Sequence, residues 1–146
     1  MTPEITIYGS DFASVSSTQD HALGLRAHDS AGNEYVYVKG VTNGVVGAAA
    51  TFDETGTTAL VVSGAAGPVC IFGAILAASK YGWGLIWGTC DILLAEAVDD
   101  NDLVNITATP GAVGDTSTTR ITNAIFREAG ASGLVAVQVA YPTLAM

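Results

Sequence analysis

Side chains able to do chemistry are sparse in this chain, and their spacing matches no known reactive arrangement. His21 and His28 stand seven residues apart on either side of an expected strand. A histidine pair could begin a metal site, but no third ligand lies near them, so two surface or loop histidines are expected. The densest oxygen cluster is Asp99-Asp100-Asn101-Asp102. Calcium takes roughly six to eight oxygens, supplied in the helix–loop–helix site at alternate positions with a closing bidentate Glu. Here Leu103 and Val104 follow directly, so a solvated turn is expected, as at Asp53-Glu54. Ser10, Ser14, Ser16 and Ser17 have no base beside them, and no Gly-x-Ser-x-Gly elbow exists. Gly64-Ala65-Ala66-Gly67 lacks the Lys-Ser/Thr of a phosphate loop. Cys70 and Cys90 are twenty residues apart, a spacing that fits no zinc motif. Small buried thiols are expected there, with a disulfide only if their strands are neighbours. These residues point away from an enzyme: no catalytic group, no metal and no cofactor are expected.

Charge narrows the partners. Only 13% of residues are charged, about half the usual share of roughly 25%. The net charge is −9, and the fixed cations are Arg26, Lys39, Lys80, Arg120 and Arg127, no two close enough in sequence to form a basic patch. Nucleic-acid binding needs clustered Lys and Arg to release counterions, so it is not expected. The same negative excess repels anionic lipid. Residues 55–79 carry no charge, but Gly56, Ser63, Gly64, Gly67 and Pro68 interrupt them. Two buried strands and a turn are expected there rather than a span of about 20 apolar residues. The start, Met1-Thr2-Pro3-Glu4, has no basic residues before an apolar run, which argues against a secretory signal. A surface poor in charge and rich in Thr, Ser, Asn, Gly and Ala suits a protein docked in an assembly. It equally suits a small β domain with threonine-rich faces.

The elements that must position any site read as strands. Leu23–His28 and Glu34–Lys39 alternate on either side of the turn-forming Asp29-Ser30-Ala31-Gly32-Asn33, which predicts a hairpin. Further strands are predicted over 45–52, 59–62, 83–88, 104–109, 121–126 and 133–141, the last stopped by Pro142. Segments 69–76 and 90–98 fit a strand or a short helix. About nine or ten short strands at this spacing predict an all-β domain over residues 21–146, a small barrel or sandwich, with room for one short helix.

Two features carry interaction signals. Residues 1–20 form a distinct head: Ile5, Ile7 and Tyr8 suit a short strand, and a Ser/Thr/Asp-rich stretch with one exposed-looking Phe12 follows. Such a head is either a frayed terminus or an arm that orders on a partner. Trp83 and Trp87 fall with Leu85 on one face of a predicted strand, with Gly84, Ile86 and Gly88 on the other. Core, subunit interface and exposed stacking platform all fit that alternation. The candidate interface residues are therefore Ile5, Ile7, Tyr8, Phe12, Trp83 and Trp87.

In order, several runs resemble the small capsid decoration, or cement, proteins of tailed bacteriophages. They are Leu23-Gly24-Leu25-Arg26-Ala27 followed by Glu34-Tyr35-Val36-Tyr37-Val38, then Lys80-Tyr81-Gly82-Trp83 through Ile86-Trp87-Gly88. Thr107-Ala108-Thr109-Pro110-Gly111 and the closing Gly133 to Pro142 complete the likeness. The resemblance implies a β-rich structural protein on the outer surface of the virion capsid, made in the host cytoplasm. It also implies a homotrimer that binds the major capsid protein and stabilises its subunit contacts. A β-rich head-fibre or tail-type module binding a glycan or host surface is the alternative.

Overall fold

The computed structural model describes residues 12–145. Ile5, Ile7 and Tyr8 of the expected arm lie outside them. Eleven strands and no helix are present among the described residues. They run β1 Val15–Ser16, β2 Arg26–His28, β3 Glu34–Lys39, β4 Ala49–Phe52, β5 Thr58–Leu60, β6 Gly67–Phe72, β7 Tyr81–Leu94, β8 Leu103–Ile106, β9 Val113–Gly114, β10 Arg120–Phe126 and β11 Gly133–Leu144. The all-β expectation holds, and both helix-or-strand ambiguities resolve to strand. Strand β6 ends at Phe72, and the residues after it form turns.

The 14-residue β7 organises the sheet. Tyr81 and Gly82 pair with β1 and also with β3, so those two strands flank β7 on opposite edges. By the same logic Gly84 and Leu85 separate β3 from β6, and Trp87 separates β3 from β11. The pairings β7–β9, β9–β8, β8–β10, β10–β11 and β11–β7 trace a ring. Only the parallel pair Leu94↔Val113 joins it at β7–β9, so the barrel is partial. All other strand pairs are antiparallel.

Strands β3 and β6, the start of β4 and β7 from Gly82 to Ile86 are buried on both faces, which is why they read as apolar runs rather than clean alternations. Tyr35, Tyr37, Val69, Ile71, Trp83 and Leu85 point into the larger core, together with the ring's Ile92, Phe126 and Val137. Their neighbours Val36, Val38, Cys70, Phe72 and Ile86 point into a second, smaller core. Glycines allow the layers to meet: a Cβ on Gly84 would lie 2.5 Å from Cys70 Sγ.

Several boundaries differ from the sequence expectation. The strand expected over 45–52 begins only at Ala49; Val45 and Val46 form an exposed turn. Pro142 does not stop β11, which continues to Leu144. A proline lacks the ladder N–H, and here it sits in an irregularity where none is required. Thr122↔Thr143 and Ala124↔Val139 leave Ala140, Tyr141 and Pro142 facing Asn123 alone. The two-residue strands β1 and β9 are too short to leave a sequence pattern. β6 and β7 are neighbours, yet Cys70 and Cys90 are free thiols. The register Ile71↔Leu85 carries Cys70 toward Ile86 rather than Cys90. Burial raises both thiols, Cys70 to about 12, so neither is a thiolate near neutral pH.

The segment from Phe12 onward lies on the domain. Phe12 is half-buried against the larger core, its ring 5.1 Å from that of Tyr35. The Asp20 N–H donates to Tyr37 Oη at 3.0 Å, and His21 rests edge-on against Tyr37, ring centroids 5.0 Å apart.

Candidate interaction surface

A β-bulge separates the two tryptophans. Tyr35 pairs with Leu85, but the next residue, Glu34, pairs with Trp87. Ile86 is the extra residue, and a one-residue insertion reverses every side chain beyond it. Upstream, Trp83 and Leu85 face the larger core; downstream, Ile92 and Leu94 do. Trp87 is thrown to the outside. Trp83 is 1% exposed and Trp87 44% exposed, so the shared face expected from their spacing does not exist. Trp83 is a core residue, packed 4.9 Å from the Tyr37 ring centroid.

The irregularity in β11 meets this bulge. Ala140 is the register partner of Trp87, and Tyr141 follows it with φ 53°. A left-handed backbone at an aromatic residue costs on the order of 1–3 kcal/mol and persists only where its surroundings hold it. Two contacts hold Tyr141. Its ring packs on Trp87 at 5.1 Å between centroids, and its hydroxyl donates to Glu34 Oε2. That hydrogen bond to a carboxylate raises the Tyr141 phenol pKa. Tyr141 is itself 51% exposed, so two bulges on adjacent strands hold two large rings side by side in solvent.

Glu34 anchors this ridge from below. It is buried, and a buried carboxylate requires partners. Besides Tyr141 it faces Arg26 Nη1 at 4.0 Å and His28 Nε2 at 3.6 Å. Arg26 also stands over the Phe52 ring, 5.8 Å from its centroid. Arg26, Phe52, Pro68 and Tyr141 line a small cleft of about 120 Å³ beside the ridge. A larger one of about 410 Å³ shares Arg26, Phe52 and Pro68.

The turn after β2 clasps the bulge. Gly88 has φ 121°, and its neighbour Thr89 donates its N–H to Asn33 Oδ1 at 3.3 Å. Asn33 is held by Asp29, whose Oδ2 accepts from Asn33 Nδ2 at 2.9 Å and from Tyr35 Oη at 2.6 Å. Partial burial works against the Asp29 charge, but the hydrogen bonds from Tyr35, Asn33 and Ala31 outweigh it and hold its pKa below the usual range. The sign of the linkage follows. A depressed carboxylate contributes stability above its unfolded pKa of about 3.9, and loses it as pH falls through the folded value. The urea midpoint should therefore drop below about pH 4, with a shallower acid slope in Asp29→Asn. An unchanged slope in that variant would remove Asp29 from the account. Asp53 and Glu96, lowered by hydrogen bonds from Thr55 and Thr116, titrate alongside it.

Among the described residues the other groups singled out in the sequence form no reactive constellation. Asp99 to Asp102 make a turn, with Asp99 N–H donating to Asp102 Oδ2 at 2.8 Å. Among the described residues no three His, Cys, Asp or Glu side chains are placed to hold a metal ion. His21 and His28 have separate partners, aromatic rings and Glu34 respectively. Among the described residues no helix is long and apolar enough to cross a membrane, and the uncharged stretch 55–79 contains β5 and β6. Tyr141 and Glu34 escaped sequence reasoning. Their signal was weak: an aromatic before Pro142, and an acidic residue opening an otherwise apolar strand.

Comparison with protein-family models, with curated proteins and with solved structures gave no match.

Proposed function

We propose that this protein is a structural virion component that docks on the outer surface of a phage head and stabilises contacts between major capsid subunits. The observation that carries this reading is the Trp87–Tyr141 ridge, two large rings held outside the core on a charge-poor domain. Exposed aromatic residues are the commonest interface anchors, and a ridge held in place loses little freedom on binding. In a homotrimer the same ridge would recur at three positions, and several weak contacts would add by avidity. The likeness across residues 23–142 supplies the partner, and the net charge of −9 suits an outer position away from packaged DNA. Electron microscopy of heads lacking the protein, reconstituted with purified chain, tests the reading. Density should appear with the unaltered protein and fall sharply with Trp87→Ala/Tyr141→Ala. Absence of density with the unaltered protein would refute the capsid role, and equal density with the variant would remove the ridge from the contact.

A second reading, a module that binds a glycan, is favoured by one observation. The exposed rings stand beside Glu34, Arg26 and His28, groups that hydrogen-bond to hydroxyls. Saturable quenching of Trp87 fluorescence by host-surface oligosaccharides, with the isolated protein, would select it.

A further inference from the structure

Arg120 and Arg127 stand seven residues apart in sequence. They nevertheless line one open cleft of about 260 Å³ on the outer face of β10 and β11. Between them Asn123 adopts φ 61° opposite three residues of β11, an irregularity that bends the strand. The cleft's other lining residues are all neutral.

Arg127 is oriented without being neutralised. Its Nε donates to Gln138 Oε1 at 2.9 Å, and Nη1 donates to Asn101 Oδ1. Both acceptors are amide oxygens. A guanidinium has about five N–H donors, so the remaining ones stay free for a ligand. Of the carboxylates flanking Arg127 and its partner Asn101, two are engaged: Glu128 Oε2 accepts from Ala136 N–H at 3.0 Å, and Asp102 Oδ2 from Asp99 N–H at 2.8 Å. Among the described residues neither arginine is in a salt bridge. The chain has 14 acidic side chains to 5 basic ones, so acids to pair with them are not scarce.

We infer that this cleft binds the carboxylates of an acidic segment on a partner protein. The planar guanidinium fork matches a carboxylate with two parallel hydrogen bonds. Two such forks line the one cleft, enough to anchor a short acidic segment. A long phosphate backbone would instead run onto a body of net charge −9. The inference is independent of the reading given to the Trp87–Tyr141 ridge.

The test is a titration of isotope-labelled protein with the capped tetrapeptide Asp-Glu-Asp-Glu, following the arginine Nε–H and Gln138 amide signals by NMR. Saturable shifts confined to Arg120, Arg127 and Gln138 are expected. They should weaken about tenfold in Arg127→Gln, a loss of about 1.4 kcal/mol, and again at high salt. The backbone spectrum of the variant reports whether it is folded, and Arg120→Gln provides a second exposed site. Four outcomes would overturn the proposal. They are shifts that never saturate, binding in both variants as tight as in the unaltered protein, tighter binding of an oligothymidylate of equal charge, and concentration-dependent shifts without peptide. The last would assign the cleft to a second copy of this chain.

Discussion

Replacing Trp83 by alanine should destabilise the protein by about 3–5 kcal/mol, while the same change at Trp87 should alter stability by roughly 0.5 kcal/mol. Trp83 is sealed among Tyr37, His21 and the larger core, so its removal leaves a cavity that the surrounding strands close only in part. A loss of that size is a large share of a typical stability of about 5–15 kcal/mol. Trp87 has its outer face in water and loses mainly its contact with Tyr141. Urea unfolding of the two variants measures the contrast. Iodide quenching supplies the accessibility: the Trp83→Phe protein should be readily quenched and the Trp87→Phe protein protected. Similar losses from the two alanine variants, or an accessible Trp83, would contradict the bulge between them.

Gly88→Ala should cost about 2–3 kcal/mol, combining left-handed strain with a steric conflict. Gly88 has φ 121°, and a Cβ there would fall 1.9 Å from Asn33 Oδ1. Asn33 would have to leave, releasing its hold on Thr89. The bulge that aims Trp87 would then loosen, and the near-ultraviolet dichroism of the Trp87–Tyr141 pair should weaken with it. Gly64→Ala separates the two causes, because Gly64 has φ 87° with nothing within 4 Å of an added Cβ. It should cost about 1 kcal/mol, strain alone. Equal losses at both positions would mean that the Asn33 clasp contributes nothing.

The parts of the fold that could be read from residues were those governed by neighbours in sequence. The hairpin of β2 and β3 is one case. Asp29 accepts the N–H groups of Ala31 and Asn33 at 3.0 and 2.9 Å, the local bonds that such a turn sequence favours. Strand β11 was legible from Gly133 to Tyr141 because Val135, Val137 and Val139 alternate inward with outward Leu134 and Gln138. The pattern misled where a position's face depends on its partner strand. Trp83, Leu85 and Trp87 have strict period two, but the insertion that reverses Trp87 is defined only by β3 pairing across from it. Tyr141 and Glu34, 107 residues apart, meet only after β3, β7 and β11 are side by side. The same holds for Arg120 and Arg127, whose cleft needs the irregularity opposite Asn123.

The sequence by itself determined the class of structure and the scarcity of ionisable groups. Glycine and Asx turns between apolar, β-branched runs leave the backbone few alternatives to short strands, and a chain with 13% charged residues has few reactive groups to place. Only the tertiary structure decided which side of each strand faces water. Period two records that two residues share a face while the ladder is regular. A single inserted residue changes that phase, and whether it is inserted depends on hydrogen bonds to a strand far away in the chain. That is why one tryptophan lies in the core and its twin, four residues on, stands beside Tyr141 on the surface.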